Sequence, residues 1–168
     1  MKKLAIGLVA VIGLTSALTG CGNPSSEKDQ TETKQVAQQE QQETIKATDQ
    51  KTVKLGDHVD FLGLIVTFEK ATYLENDKGV KNSVMKIDMK VENKSAASRG
   101  FTTIDMEIKD SKGKKLAIYP GENLGEKIQP GKSINGSGYF TVNGNGPYTI
   151  TYKDQDSDKK TSWKVEVK

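Results

Sequence analysis

Hydrophobic and polar residues alternate along the chain from about residue 52 onward, and this alternation predicts β-strands. In the clearest stretch, Met85 to Val91, every second residue is Met, Ile or Val, and the residues between them are Lys or Asp. A period of two turns one face towards a core and the other towards water, which is typical of a half-buried antiparallel strand. Further alternating segments occur at 64–68, 104–108, 148–152 and 163–167.

Turn-forming residues separate these segments. Asp110–Lys114 contains Gly113, which can adopt the positive φ that a tight hairpin requires. Gln129–Lys132 has Pro at its second position and Gly at its third, the preference of a type II turn. Short strands, frequent turns and the lack of a helical period predict an all-β fold, an immunoglobulin-like antiparallel β-sandwich of about seven to nine strands. A small closed β-barrel is the alternative.

The beginning of the chain has a different pattern. A positive start at Lys2 and Lys3 precedes an apolar run that ends in the box Leu18–Cys21, which reads Leu-Thr-Gly-Cys. The run is shorter than the roughly 20 residues that a membrane-spanning helix needs. This order predicts a signal peptide over residues 1–20, with cleavage between Gly20 and Cys21.

Cys21 is the only cysteine of the chain, so it cannot form an internal disulfide. The box around it resembles the lipobox of bacterial lipoproteins. The resemblance implies that the thiol of Cys21 carries a diacylglycerol and anchors the protein to the outer face of the cell membrane. Each buried methylene contributes about 0.8 kcal/mol, so two or three acyl chains hold firmly where one holds marginally.

Residues 21–50 are predicted to form a disordered linker between this anchor and a folded domain. The segment is rich in Gln, Glu, Thr and Lys and has few large apolar residues beyond Val36 and Ile45. Such a composition cannot bury enough surface to offset the entropy of ordering. The folded domain is predicted over residues 51–168, which lack cysteine and are numerous enough to rely on a hydrophobic core.

The charge of the chain limits its partners. The formal net charge of +3 falls to about +1 when Lys2 and Lys3 leave with the signal peptide, which argues against a nucleic-acid binder. The linker is acidic, whereas residues 51–168 carry twenty basic residues against sixteen acidic ones. A mildly basic domain allows contact with anionic wall polymers or lipid headgroups, and a solvated Lys-rich surface explains the same composition.

Several turns and strand ends of the domain have a recognisable pattern. They are Val53–Asp57, Leu62–Phe68, Met85–Ser95, Asp110–Lys114 and Ile128–Ser133. These segments resemble the motifs of a family of bacterial exported domains, the domain of unknown function 4352. The resemblance covers roughly residues 52–153. It implies a telokin-like immunoglobulin sandwich of a kind that often occurs on lipoproteins, and it implies no catalytic residue.

An acidic turn near the end of the chain offers one candidate metal site. Asp154, Asp156 and Asp158 alternate as the acids of a calcium loop do, but Lys159 and Val165 stand where an EF-hand loop needs Gly and Glu. The EF-hand interpretation therefore fails. A shallow, weak calcium site stays open beside the simpler interpretation, a solvated hairpin turn.

Catalytic signatures are missing from the sequence. His58 is the only histidine, and we interpret it as a surface residue at a strand edge, with Asp57 and Asp60 in turn and solvent-facing positions. One histidine and no cysteine in the domain nearly exclude Ser-His and Cys-His catalysis. We find no nucleophile elbow, zinc-protease motif or phosphate loop. We therefore predict a non-enzyme that holds no metal and no cofactor.

The remaining candidates for binding are loops. The segment Ala117–Leu124 resembles a long loop with apolar tips, and it is our candidate contact surface. Most aromatic residues are predicted to lie in the core, with Tyr139 facing solvent. Together these features predict a membrane-anchored, non-enzymatic interaction module that binds an envelope protein or a wall polymer. The alternatives are an envelope hydrolase that uses a carboxylate pair, and a structural or stress-protective envelope lipoprotein.

Overall fold

Twelve β-strands and one short 3₁₀ turn build the part of the chain that the structure, a computed structural model, describes, which is residues 43–48 and 51–167. The strands are β1 (Thr44–Lys46), β2 (Thr52–Val53), β3 (His58–Phe61), β4 (Leu64–Leu74), β5 (Val84–Asn93), β6 (Arg99–Thr102), β7 (Met106–Lys109), β8 (Ala117–Ile118), β9 (Gly125–Ile128), β10 (Ser133–Thr141), β11 (Tyr148–Lys153) and β12 (Lys160–Val165). The 3₁₀ turn, η1 (Thr103–Asp105), lies between β6 and β7.

The strands form two main sheets and a small ribbon. The larger sheet has the order β1-β3-β4-β5-β10-β8, the second sheet has the order β2-β12-β11-β7, and β6 pairs with β9. The pairings are antiparallel except for β1 with β3 and β2 with β12. The molecule is thus an immunoglobulin-like β-sandwich, as the alternating pattern predicts. It has more strands than the predicted seven to nine because several are segments of only two to four residues.

Aromatic side chains join the two main sheets. Trp163, from β12, lies against Phe68 of β4 with ring centroids 4.5 Å apart. Phe61, from β3, contacts Tyr152 of β11 edge to face at 5.1 Å. Burying each such side chain stabilises the fold by roughly 1.5–3 kcal/mol. These contacts confirm the predicted aromatic core. Among the described residues, the buried apolar core lies between residues 53 and 165, so the compact unit Gln39–Lys168 contains the whole described core.

The strand β1 corrects the predicted end of the linker. Thr44–Lys46 pairs in parallel with residues 58–60 of β3, and Ile45 packs against the core. This strand forms because a sheet edge supplies hydrogen-bond partners that the linker composition does not reveal. The ordered chain therefore begins before residue 51. The predicted linker from Cys21 to Gln42 lies outside the described residues.

Two strand predictions also need correction. Ile104 does not continue the alternation of Met106 and Ile108, because it belongs to η1 and is 71% exposed. In β4, all five residues from Leu64 to Phe68 are buried, although alternation predicts a solvent-facing side. A bulge between Phe68 and Lys70 then shifts the register of this strand against β5.

The predicted turns are confirmed. Gly113 and Gly131 both have positive φ, at 80° and 72°, and the amide of Lys132 donates to the carbonyl of Gln129 as a β-turn requires. Buried Asn93, at the end of β5, organises the next loop: its side-chain amide donates to the carbonyls of Ala97 and Ile128, which ties the loop to β9.

Candidate functional site

Arg99 is the centre of a buried ion-pair cluster that joins three parts of the chain. Its side chain is 10% exposed, against 1% for Asp154. Nη2 donates to both carboxylate oxygens of Asp154 at 2.9 and 2.8 Å, and Nε donates to Asp156 Oδ2 at 2.8 Å. Nη1 also donates to the carbonyls of Phe61 and Leu62, at 3.5 and 3.2 Å. One side chain on β6 thereby holds the β11–β12 turn and the β3–β4 turn.

The electrostatics of this cluster favour a permanently charged arginine. Burial acts to lower the pKa of the Arg99 guanidinium, but the charge and hydrogen bonds of Asp154, and then those of Asp156, outweigh it and raise the pKa. Burial raises the pKa of the neighbouring Tyr152 hydroxyl, and the charge of Asp154 adds to the effect. Both groups therefore keep their protonation state near neutral pH, and the guanidinium acts as a fixed charge that links these segments.

The acidic turn is the hairpin turn that the sequence predicts, between β11 and β12, but its first acid is not solvated. Asp154 is buried and also accepts a hydrogen bond from the Ser157 hydroxyl. Asp156 is 58% exposed. Asp158, at 84% exposure, pairs with Lys153 at 2.7 Å. The three acids differ because Arg99 pairs with Asp154 and Asp156, and of these two only Asp154 is buried. Among the described residues, no group of three or more His, Cys, Asp or Glu side chains is placed to hold a metal ion.

Sequence reasoning missed Arg99 altogether. The signal that identifies it is composition, because Arg99 is the only arginine among 25 basic residues. A planar guanidinium fork matches a carboxylate in two-point contact, which a lysine ammonium cannot do. A single arginine in a chain that otherwise uses lysine therefore points to a geometric requirement.

A groove lies beside this cluster. We call it the β6–β9 groove; its volume is about 620 Å³, and it is lined by Ser98, Gly100, Phe101, Thr102, Asp105, Gly125, Glu126, Lys127, Gln155 and Asp156. Gln155 Nε2 donates to Asp105 Oδ1 at 2.7 Å and links the acidic turn to η1. The groove is open and lined by polar and charged side chains, so it suits an extended polar ligand better than a small apolar molecule.

His58 lies on β3, next to the edge strand β1, and is partly buried. Its Nδ1 is 2.6 Å from Thr67 Oγ1. The predicted strand position is correct, but the ring contacts its own sheet. Asp57 and Asp60 have turn roles: Asp57 accepts from the amide of Lys54, and Asp60 accepts from the amide of Gly63.

The segment Ala117–Leu124 is only partly the exposed loop that the sequence predicts. Its first two residues form β8 and pair with β10, and Leu124 packs against the core. The Tyr119 hydroxyl accepts from the amide of Asp77 at 3.3 Å. Ile118 keeps 41% exposure. Tyr139, predicted to face solvent, is half-buried. The segment is therefore an edge of the sandwich.

The predicted cleavage and lipidation residues, Gly20 and Cys21, lie outside the described residues. In the described part of the chain, no helix is long and apolar enough to cross a membrane.

Comparison with known proteins identifies a fold. No family model matches the chain, and no curated protein sequence matches it. The yjhA protein from Bacillus subtilis has a similar structure, with a TM-score of 0.53 and 17% identity over 67% of this chain and 98% of that chain. A "putative lipoprotein" (ycdA) from Bacillus subtilis subsp. subtilis str. 168 has a TM-score of 0.52 and 18% identity over 61% of this chain and 36% of that chain. At these identities the likeness shows the β-sandwich fold alone.

Proposed function

We propose that this protein is a lipid-anchored, non-enzymatic binding module on the outer face of a bacterial cell membrane. The box Leu18–Cys21 supports the anchor, and the likeness to a protein described as a "putative lipoprotein" agrees with it. The sandwich would contact an envelope protein or a wall polymer through its surface grooves.

The binding role is supported by the hydrogen bonds that the acids of the β6–β9 groove make with neighbouring side chains. Asp156 bonds to Arg99, and Asp105 accepts from Gln155. A hydrolase built on two carboxylates needs one of them to exchange a proton with substrate. Asp105 and Asp156 each accept a hydrogen bond from a neighbouring side chain, which supports a binding role for the groove over the carboxylate-pair hydrolase.

We also propose that residues 52–153 belong with the exported domains of unknown function 4352. Three features that carry the resemblance have structural roles here: Asn93 ties its loop to β9, and Gly113 and Gly131 adopt the positive φ of their turns. These roles support a shared fold.

Anchoring is tested with Cys21→Ala in the full chain. We expect the wild-type chain to incorporate labelled fatty acid and to sediment with membranes. The variant should incorporate no label and should accumulate as the uncleaved precursor, because the thiol is the acceptor atom. Fatty-acid labelling and fractionation measure both effects. Unchanged labelling of the variant would refute the anchor.

The same cells test the binding role. Cross-linking of intact cells should join the wild-type sandwich to an envelope component, and the adduct should survive when membranes are dissolved in detergent. If no adduct forms with protein or wall polymer, the structural alternative replaces the binding role.

A further inference from the structure

A second groove lies between the hairpin 110–114 and residues 143–147, the glycine-rich loop that precedes β11. We call it the lysine groove; its volume is about 580 Å³, and it is lined by Asp110, Lys112, Lys114, Val142, Asn143, Gly144 and Asn145. It shares no lining residue with the β6–β9 groove. It combines two cations with two side-chain amides.

The lysines of this hairpin divide into two classes. Lys109 and Lys115 pair with Glu107, at 2.7 and 3.7 Å, and hold the pKa of that carboxyl below its usual range. Lys112 and Lys114 line the groove instead, and within the described residues neither ammonium forms an ion pair. Their positive charges are therefore available to a ligand.

The glycine-rich loop adds one backbone donor. The carbonyl of Gly144 accepts from the Tyr148 hydroxyl at 2.7 Å, and the carbonyl of Asn145 accepts from the amide of Ser111 at 3.0 Å, which ties the loop to the hairpin. In a trans peptide the N–H of the next residue points opposite to the carbonyl. The N–H of Asn145 therefore points away from Tyr148, and within the described residues it donates to no protein acceptor. Beside the side-chain amides of Asn143 and Asn145, such a donor suits an anion.

Asp110 limits the charge of the site. Its Oδ1 accepts from the amides of Lys112 and Lys114 at 2.9 and 2.8 Å. Its other oxygen faces Gly144 so closely that a Cβ there would lie 2.0 Å from it. The carboxylate is therefore part of the wall, and the lining carries one net positive charge. That charge matches a monoanion.

We propose that the lysine groove binds a phosphodiester group. Lysine ammoniums act as point charges for phosphate, and a tetrahedral oxyanion can accept from the ammoniums, the side-chain amides and the N–H of Asn145 together. A phosphodiester is the charged group of anionic phospholipid headgroups and of polyol-phosphate wall polymers. The inference deepens the proposed binding role and depends on the proposed location only for the source of the phosphate.

The site is tested by an NMR titration. A glycerol phosphodiester is the probe, and it is added at constant ionic strength to the isotope-labelled Gln39–Lys168 unit. We expect saturable amide shifts confined to the residues of the lysine groove. The double variant Lys112→Gln/Lys114→Gln should bind at least about tenfold more weakly, since it loses two charge-assisted contacts. Both lysines are exposed, so its melting temperature should match that of the wild type.

The matched control is Lys109→Gln/Lys115→Gln, which removes the same charge from the same hairpin but leaves the groove lining intact. It should keep most of the affinity. An equal loss in both double variants would show a diffuse positive field and overturn the proposal. The lack of saturable shifts in the wild type would also overturn it.

Two further arms identify the source of the phosphate. Co-sedimentation with vesicles containing phosphatidylglycerol, but not with phosphatidylcholine vesicles, would assign the site to lipid headgroups. Binding to a soluble polyol phosphate without vesicle binding would assign it to wall polymer. Either outcome supports the site. Its failure leaves the Cys21→Ala result unchanged, so the two proposals fail separately.

Discussion

Arg99 and Asp154 are far apart in sequence, and in the folded protein they form a buried ion pair. The two residues are 55 positions apart, and Nη2 reaches both carboxylate oxygens. Removing water from two charges costs free energy, which the contact between them offsets only when both partners are present. The pair is therefore expected to be sensitive to the loss of either member.

We predict that Asp154→Asn lowers the free energy of unfolding by about 3–5 kcal/mol, because it leaves the Arg99 guanidinium buried without its main counter-charge. Asp156→Asn is the matched control, and its loss should stay below about 1 kcal/mol because that carboxylate is 58% exposed. Urea unfolding measures both. Equal losses would contradict the central role of Asp154.

At the scale of elements, the turn between β3 and β4 has an unusual residue. Leu62 and Gly63 have φ of 54° and 94°, the signs of a type I′ hairpin turn. A non-glycine residue in this region costs roughly 1–2 kcal/mol, and Asn tolerates it better than Leu. Leu62 is 64% exposed, so little packing offsets the cost. The carbonyl contacts from Arg99 help to hold the turn.

Leu62→Asn should therefore raise the free energy of unfolding by about 0.5–1 kcal/mol, since the new residue adopts the same φ with less strain. Leu62→Ala is the comparison, because it removes the side chain without relieving the backbone. Thermal and urea unfolding report the difference. A destabilised Leu62→Asn variant would mean that the leucine side chain has a packing role.

At the scale of the whole molecule, the first two described strands belong to different sheets. Strand β1 pairs with β3 in the larger sheet, and β2 pairs with β12 in the second. Between them, the amide of Thr48 donates to the Thr161 hydroxyl at 2.8 Å, and that hydroxyl donates back to the carbonyl of Thr48 at 3.0 Å. These hydrogen bonds link the segment between β1 and β2 to β12 of the second sheet.

Shortening the Gln39–Lys168 unit to Lys51–Lys168 should lower the free energy of unfolding by roughly 1–3 kcal/mol, because Ile45 and the Thr48 hydrogen bonds are lost. Ile45→Ser in the longer form separates the apolar share from the hydrogen bonds. Chemical unfolding of the three forms gives the values. Identical stability of the long and short forms would show that β1 contributes nothing.

Local features of the sequence predicted local features of the structure. The alternation from Met85 to Val91 predicted a half-buried strand, and Gly113 and Gly131 predicted turns, because pleating and backbone sterics involve neighbouring residues. Ile104 broke its pattern because η1 intervenes. Asp154 looked like a solvated turn residue because its partner, Arg99, carries no local signal.

The sequence by itself determined the all-β class, the main turns and the aromatic core, since each depends on periodicity or on residue type. The choice of a sandwich over a closed barrel came from the tertiary structure. The cleavage and lipid attachment at Cys21 stay predictions of the sequence alone. Only the tertiary structure decided that Arg99 is buried with Asp154, that Thr44–Lys46 joins a sheet, and that Lys112 and Lys114 line a groove with residues 142–145. These features depend on residues that are distant along the chain, and only folding brings them into contact.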